Sequence, residues 1–120
     1  MHNDDNTRLR HMLDAAREAS DFAQGRSRQD LDADRQLVMA LVKEIEIIGE
    51  AANQISLPTR KRLPELPWDD IVGMRHRLVH AYFDINLGIL WETIERDLPP
   101  LIEQLERLPG IQGKETPGQS

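Results

Sequence analysis

The sequence predicts an all-α fold, an antiparallel bundle of four to five helices, and three observations carry that prediction. Apolar residues recur at three- and four-residue steps along several long stretches. A proline-bearing segment from Leu57 to Pro67 divides these stretches into two groups. The composition, 39% apolar with only 4% aromatic, suits a core packed from Leu, Ile, Val and Ala.

The first helix is expected from Thr7 to Ala23, where Leu9, Met12, Leu13, Ala16 and Ala19 or Ser20 make one apolar stripe and Gly25 stands near the end. Ser27 and Asp30 have the spacing of a capping box and predict a short helical turn. A second long helix is expected from Asp34 to Ile55. Leu41, Ile45, Ile48, Ala52 and Ile55 form its main stripe, and Val38, Val42 and Ile47 widen it, which marks a central helix. Gly49 in its middle costs about 1 kcal/mol against Ala, so another backbone is expected to come close there. Glu46 and Glu50 lie one turn apart and read as solvated or arginine-paired carboxylates.

Leu57-Pro58 ends that helix, and Pro64 and Pro67 hold the next segment in short turns. Trp68 is expected to fold back as a core plug and Asp69 to cap a third helix that runs to about Phe83. Leu87, Leu90, Trp91, Ile94 and Leu98 mark a fourth helix, broken or bent at Pro99-Pro100 and continued by Leu101, Ile102, Leu105 and Leu108. The expected organisation is a flexible N-terminus over 1–6, a helical domain over 7–108 and a disordered tail over 109–120.

Chemistry concentrates in Met74-Arg75-His76-Arg77-Leu78-Val79-His80-Ala81-Tyr82-Phe83, which places an arginine, two histidines and the chain's only tyrosine in one apolar tract. A guanidinium offers a fixed fork of donors to phosphate. An imidazole can take or give the proton of a ribose hydroxyl. These residue types serve metal-free phosphodiester chemistry. The plainer reading is a core helix with Met74, Leu78 and Phe83 inward, the arginines solvated and His80 a satisfied imidazole.

Around this tract stand Glu46-Ile47-Ile48-Gly49-Glu50-Ala51-Ala52, Leu66-Pro67-Trp68, Ile71-Val72-Gly73-Met74-Arg75, His80-Ala81-Tyr82-Phe83-Asp84-Ile85, Leu90-Trp91-Glu92 and Asp97-Leu98-Pro99-Pro100-Leu101. In this order the chain resembles the HepT-like toxins of the HEPN superfamily over residues 8–107. The resemblance implies a metal-independent ribonuclease toxin, active as a two-fold homodimer and encoded beside a minimal nucleotidyltransferase antitoxin that silences it by AMPylation. It makes Arg75 and His80 the catalytic pair and Tyr82 the AMPylation site. His76 stands where the family often has a small polar residue such as Asn.

The remaining features bound these expectations. One domain fits 120 residues, and the absence of cysteine excludes disulfides and thiolate metal sites. The polar, acidic stretch from Met1 to Asn6 does not match a signal peptide, and no apolar run is long enough for a bilayer, so the expected location is the cytoplasm. A net charge of −6 opposes general nucleic-acid binding, yet between residues 60 and 80 five basic residues outnumber three acids, giving +2. That local charge suits brief contact with a few nucleotides or a partner, and equally a solvated Arg60-Lys61-Arg62 run.

Helix geometry constrains the site. Positions 75 and 80 of a continuous helix lie about 140° apart, so Arg75 and His80 cannot meet on one unbroken helix. Either the helix unwinds near His80, or a two-fold axis makes the site composite. The dimer is preferred because it also supplies two histidines, one as base and one as acid. His76 and Tyr82 would assist at the substrate phosphate, with RNA as substrate and no cofactor. Two other readings remain: a non-catalytic helical dimer that binds a nucleotidyltransferase, and a metal held by His76 and His80 at i and i+4.

Overall fold

The computed structural model describes residues 3–81 and 84–111. Helix α1 (Asn3–Ala23) starts before the expected Thr7, because Asp5 has a structural task. Its buried carboxylate accepts hydrogen bonds from the Ser56 amide at 3.0 Å and from the Ser56 and Thr59 hydroxyls at 2.6 Å each. Leu9, Met12, Leu13, Ala16 and Ala19 are fully buried along the expected stripe, whereas Ser20 is exposed. Gly25 follows with φ of 75°, a left-handed conformation open to glycine.

Short helix α2 (Asp30–Ala33) forms at the capping-box signal, with the Ser27 amide donating to Asp30 Oδ2 at 2.7 Å. Asp34 then caps α3 (Arg35–Asn53), accepting from the Leu37 amide at 3.0 Å. The predicted stripe from Leu41 to Ile55 is buried, although α3 itself ends at Asn53, two residues before the expected Ile55. Helix α3 packs against α1 and against the elements that follow, so it is the central helix the pattern predicts. Helix α4 (Leu57–Arg62) carries Pro58 in its first turn, where the missing amide costs nothing.

The third expected helix is divided and shortened. Helix α5 (Trp68–Val72) is followed by a turn at Gly73 and by α6 (Met74–Leu78), and the chain then becomes extended in β1 (Val79–Ala81), which pairs antiparallel with β2 (Asp84–Ile85). A helix reaching Phe83 is therefore not what forms. The Leu78 carbonyl accepts from the Asn86 amide at 2.7 Å, and β-branched Val79 pairs with Ile85, so the hairpin takes over the backbone bonding at that point. Asp69 lies in the first turn of α5 while Pro67 holds the cap position without a side-chain bond, so Asp69 is not the cap. Trp68 is half-buried rather than a core plug, with its indole Nε1 donating to the Leu63 carbonyl at 3.0 Å and Arg60 over its ring at 5.6 Å.

Asn86 caps α7 (Leu87–Glu92) by accepting from the Ile89 amide at 3.0 Å. A π-helical turn, Thr93–Asp97, leads into α8 (Leu98–Glu106). The irregularity thus falls one turn before Pro99-Pro100, where the proline rings would otherwise meet the preceding carbonyls. Helix α8 packs on α1. Ile111, beyond the expected end at 108, is fully buried. Tyr82, Phe83 and residues 112–120 lie outside the described residues. The fold is all-α but for the short hairpin, and no described helix is long and apolar enough to cross a membrane.

Candidate active site

One glycine seats the motif against the central helix and a second forms the joint within it. A Cβ on Gly49 would lie 3.5 Å from the Ile71 and Val72 carbonyls, so the backbone approach expected at this glycine is the end of α5. A Cβ on Gly73 would come within 3.2 Å of the Asp69 carbonyl, which suits glycine at the joint between α5 and α6. With α5 held so close, Arg75 at the start of α6 reaches α3. Its Nε donates to Glu46 Oε2 at 2.7 Å, and Lys43 Nζ lies 3.6 Å from the other Glu46 oxygen. Glu46 is the arginine-paired carboxylate that the sequence suggests.

Arg75 lines an open hollow of about 690 Å³ together with Glu46, Glu50, Arg60, Asp69 and His76. Three carboxylates there face two guanidiniums. His80 lies elsewhere, in a second hollow of about 540 Å³ formed by α6, β1, α7 and the π-helical turn. Its charged lining is His76, His80, Arg77, Arg96, Glu92 and Asp97, so two guanidiniums balance two carboxylates and two imidazoles stand beside them. Of these two hollows it is the better suited to a phosphodiester, since its carboxylates do not outnumber its guanidiniums and two imidazoles add further hydrogen-bonding nitrogens.

Within one chain Arg75 and His80 do not line a common hollow, and His76 lines both. The chain leaves the helix between them, the less favoured of the two arrangements, with Arg75 on α6 and His80 on the extended β1, and this does not bring the two into one hollow. Tyr82 falls outside the described residues. Arg96 escapes sequence reasoning, because a π-helical turn brings it to the motif and no local pattern sets it apart from other surface charges, while Glu92 on α7 and Asp97 stand in segments that carry the resemblance but receive no role there. Arg77 is exposed, as expected, and its guanidinium lies 3.8 Å from Asp97. Among the described residues no group of three His, Asp or Glu side chains is placed to hold a metal ion.

The family model for ribonuclease HepT-like proteins matches residues 12–108, a span that holds both hollows and all of the motif. The chain belongs to the HepT-like family, within the HEPN superfamily. A protein named "Putative RNase" from Caldanaerobacter subterraneus subsp. tengcongensis is 36% identical over 100 residues, covering 83% of this chain and 89% of that protein. "Probable ribonuclease HepT" from Thermococcus cleftensis is 36% identical over 80 residues, covering 67% of this chain and 73% of its own length. A "Putative RNase" from Methanocaldococcus jannaschii is 30% identical over 98 residues, with 82% and 90% covered. No solved structure gives a significant match. HepT-like membership supports ribonuclease chemistry and fits the all-α fold.

Proposed function

We propose that this HepT-like protein is a metal-independent endoribonuclease toxin that works as a two-fold homodimer in the cytoplasm. The observation that carries the reading is the release of His80 from the helix into a hollow shared with His76, Arg77 and Arg96. A histidine on an extended edge, open to solvent and flanked by guanidiniums, can approach a ribose–phosphate backbone that a helix-buried histidine could not.

In the proposed reaction one His80 removes the proton of a ribose 2′-hydroxyl, and the resulting oxygen attacks the adjacent phosphorus in line. Arg75, brought in across the two-fold axis, balances the charge on the non-bridging oxygens. The second protomer's His80 protonates the departing 5′-oxygen. The products carry a 2′,3′-cyclic phosphate and a 5′-hydroxyl. His76 and Tyr82 assist at the phosphate. A cognate minimal nucleotidyltransferase would silence the toxin by AMPylation of Tyr82, because the added anion occupies phosphate space and repels RNA.

The deciding experiment is cleavage of total cellular RNA in EDTA by unmodified protein, beside Arg75→Ala and His80→Ala variants matched for helicity and sedimentation. Cleavage by the parent alone supports the metal-free scheme. Activity that disappears in EDTA and returns with a divalent ion refutes it. A folded dimer with no cleavage in either condition points instead to a non-catalytic module for the transferase.

A further inference from the structure

We propose that the hollow between α5–α6 and the start of α8 is a nucleobase subsite, selective for bases that carry an exocyclic amino group. It rests on the ribonuclease reading and adds a substrate element to it. The hollow measures about 280 Å³ and shares one wall, Arg77, Arg96 and Asp97, with the hollow that holds His76 and His80. Two hollows with a common wall suit two linked parts of one ligand, and a nucleotide is such a ligand: a charged phosphate joined through ribose to a flat base.

The two sides of that wall differ in chemistry. On the His80 side two imidazoles join the two arginines. On the far side the floor is apolar, made by the almost fully buried Ile71, Met74 and Leu101, and the added charges are acidic, Glu65 and Asp70. A phosphate placed there would meet an excess of carboxylates. A neutral ring would gain contact with the apolar floor and with a guanidinium plane.

Size narrows the ligand. Pockets for drug-sized molecules begin at about 300 Å³, so this one admits a single ring system and not a whole nucleotide. Carboxylates at its rim accept hydrogen bonds from amino groups, as Asp and Glu do from cytosine N4. At the Glu65 and Asp70 edge uracil presents a carbonyl oxygen in place of that amino group and is disfavoured, while the guanidiniums of Arg77 and Arg96 stand on the wall shared with the His80 hollow. The expected order is therefore cytosine, adenine or guanine above uracil.

The test observes binding without requiring catalysis. Protein labelled with ¹³C at methionine methyls is titrated with CMP, AMP and UMP, with Met74 as reporter and Met12, buried elsewhere in the core, as internal control. CMP and AMP should shift the Met74 methyl saturably, with UMP weaker by about fivefold, the worth of one hydrogen bond. The His80→Ala variant, which alters only the phosphate hollow, should weaken all three nucleotides alike and keep the preference for CMP and AMP over UMP. Joint Glu65→Gln and Asp70→Asn substitution, at two exposed positions, should abolish the preference for CMP. Equal responses to CMP and UMP, no Met74 response, or a response to a lysine peptide alone would overturn the subsite. CMP-selective binding by a protein that cleaves no RNA would refute the ribonuclease reading only, and cleavage without any Met74 response would refute the subsite only.

Discussion

Glu46 Oε2 lies 2.7 Å from Arg75 Nε, so the first arginine of the motif is held by a carboxylate 29 residues earlier on the central helix. The bond uses Nε and leaves the two terminal guanidinium nitrogens for a phosphate. In the proposed reaction Glu46 would act as a positioning residue, since a loose arginine would have to be ordered anew for each substrate. Glu46→Ala should lower RNA cleavage by about tenfold, since small misplacements of a reacting or stabilising group carry penalties of that order or more. Glu46→Gln, which can still accept from Nε, should recover most of it. Both side chains are partly exposed, so unfolding free energy should change by less than about 1 kcal/mol. Equal loss in both variants with unchanged stability would assign Glu46 a direct chemical role instead.

His76 lines the hollow of Arg75 and that of His80, and this double membership invites the view that it supplies the general acid. The proposed dimer gives that task to the second His80. His76→Asn should then keep cleavage within about tenfold of the parent, while His80→Asn should lose the 10²- to 10⁴-fold typical of a general acid or base. A comparable loss from His76→Asn, measured as single-turnover cleavage of a defined oligoribonucleotide, would place both imidazoles of one chain in the reaction.

Much of the fold is legible because its causes are local. The stripes of α1 and α3, the Ser27–Asp30 cap and the close approach at Gly49 each follow from a few neighbouring residues. The end of α6 is different. Leu78 to Ala81 continue a helical pattern, and what stops them is pairing with Asp84, Ile85 and Asn86, a tertiary choice that apolar spacing does not reveal. The same limit hides Arg96: it reaches the His80 hollow through a π-helical turn, and no motif marks such a turn. Arg75 and His80 are readable as residue types, but their separation into two hollows is not.

Gly49 offers a graded test of how α5 is seated. In Gly49→Ala the new methyl would stand 3.5 Å from the Ile71 and Val72 carbonyls, an ordinary contact. Removing a mid-helix glycine gains up to about 1 kcal/mol, so this variant should be neutral or more stable in urea. Gly49→Leu overfills the contact and should cost about 1–3 kcal/mol. It should also reduce cleavage beyond its effect on stability, because pushing α5 away carries Arg75 from Glu46. Full activity in Gly49→Leu would show that the α3–α5 distance does not set the site.

Asp34 caps α3, with the Leu37 amide at 3.0 Å from Oδ1 and Arg26 Nη2 at 2.6 Å from Oδ2. That amide, and then the guanidinium, hold its carboxyl below the usual carboxylate range. Because the folded value is depressed, the cap stabilises fully above the unfolded value of about 4 and is lost as pH falls through the folded value. Thermal melts of the parent and Asp34→Ala should be furthest apart near neutrality and converge in acid. A gap that stays constant down to low pH would assign the effect to packing or helix propensity.

Asp5 makes the start of α1 part of the folded unit. Its carboxylate, 3% exposed, accepts from the Ser56 amide and from the Ser56 and Thr59 hydroxyls, and so ties the start of α1 to the loop between α3 and α4. Asp5→Ala strips the nearly buried Thr59 hydroxyl and the Ser56 amide of their acceptor, and a buried group left without a partner costs about 1–3 kcal/mol. Deleting residues 1–6 should cost at least as much in urea denaturation, although the sequence reads that stretch as a flexible N-terminus. Because the loop it anchors precedes α4 and the motif, the deletion should also raise hydrogen exchange at Ser56 to Arg60 while leaving α8 protected. Unchanged exchange and unchanged stability would return residues 1–6 to the role of a passive terminus.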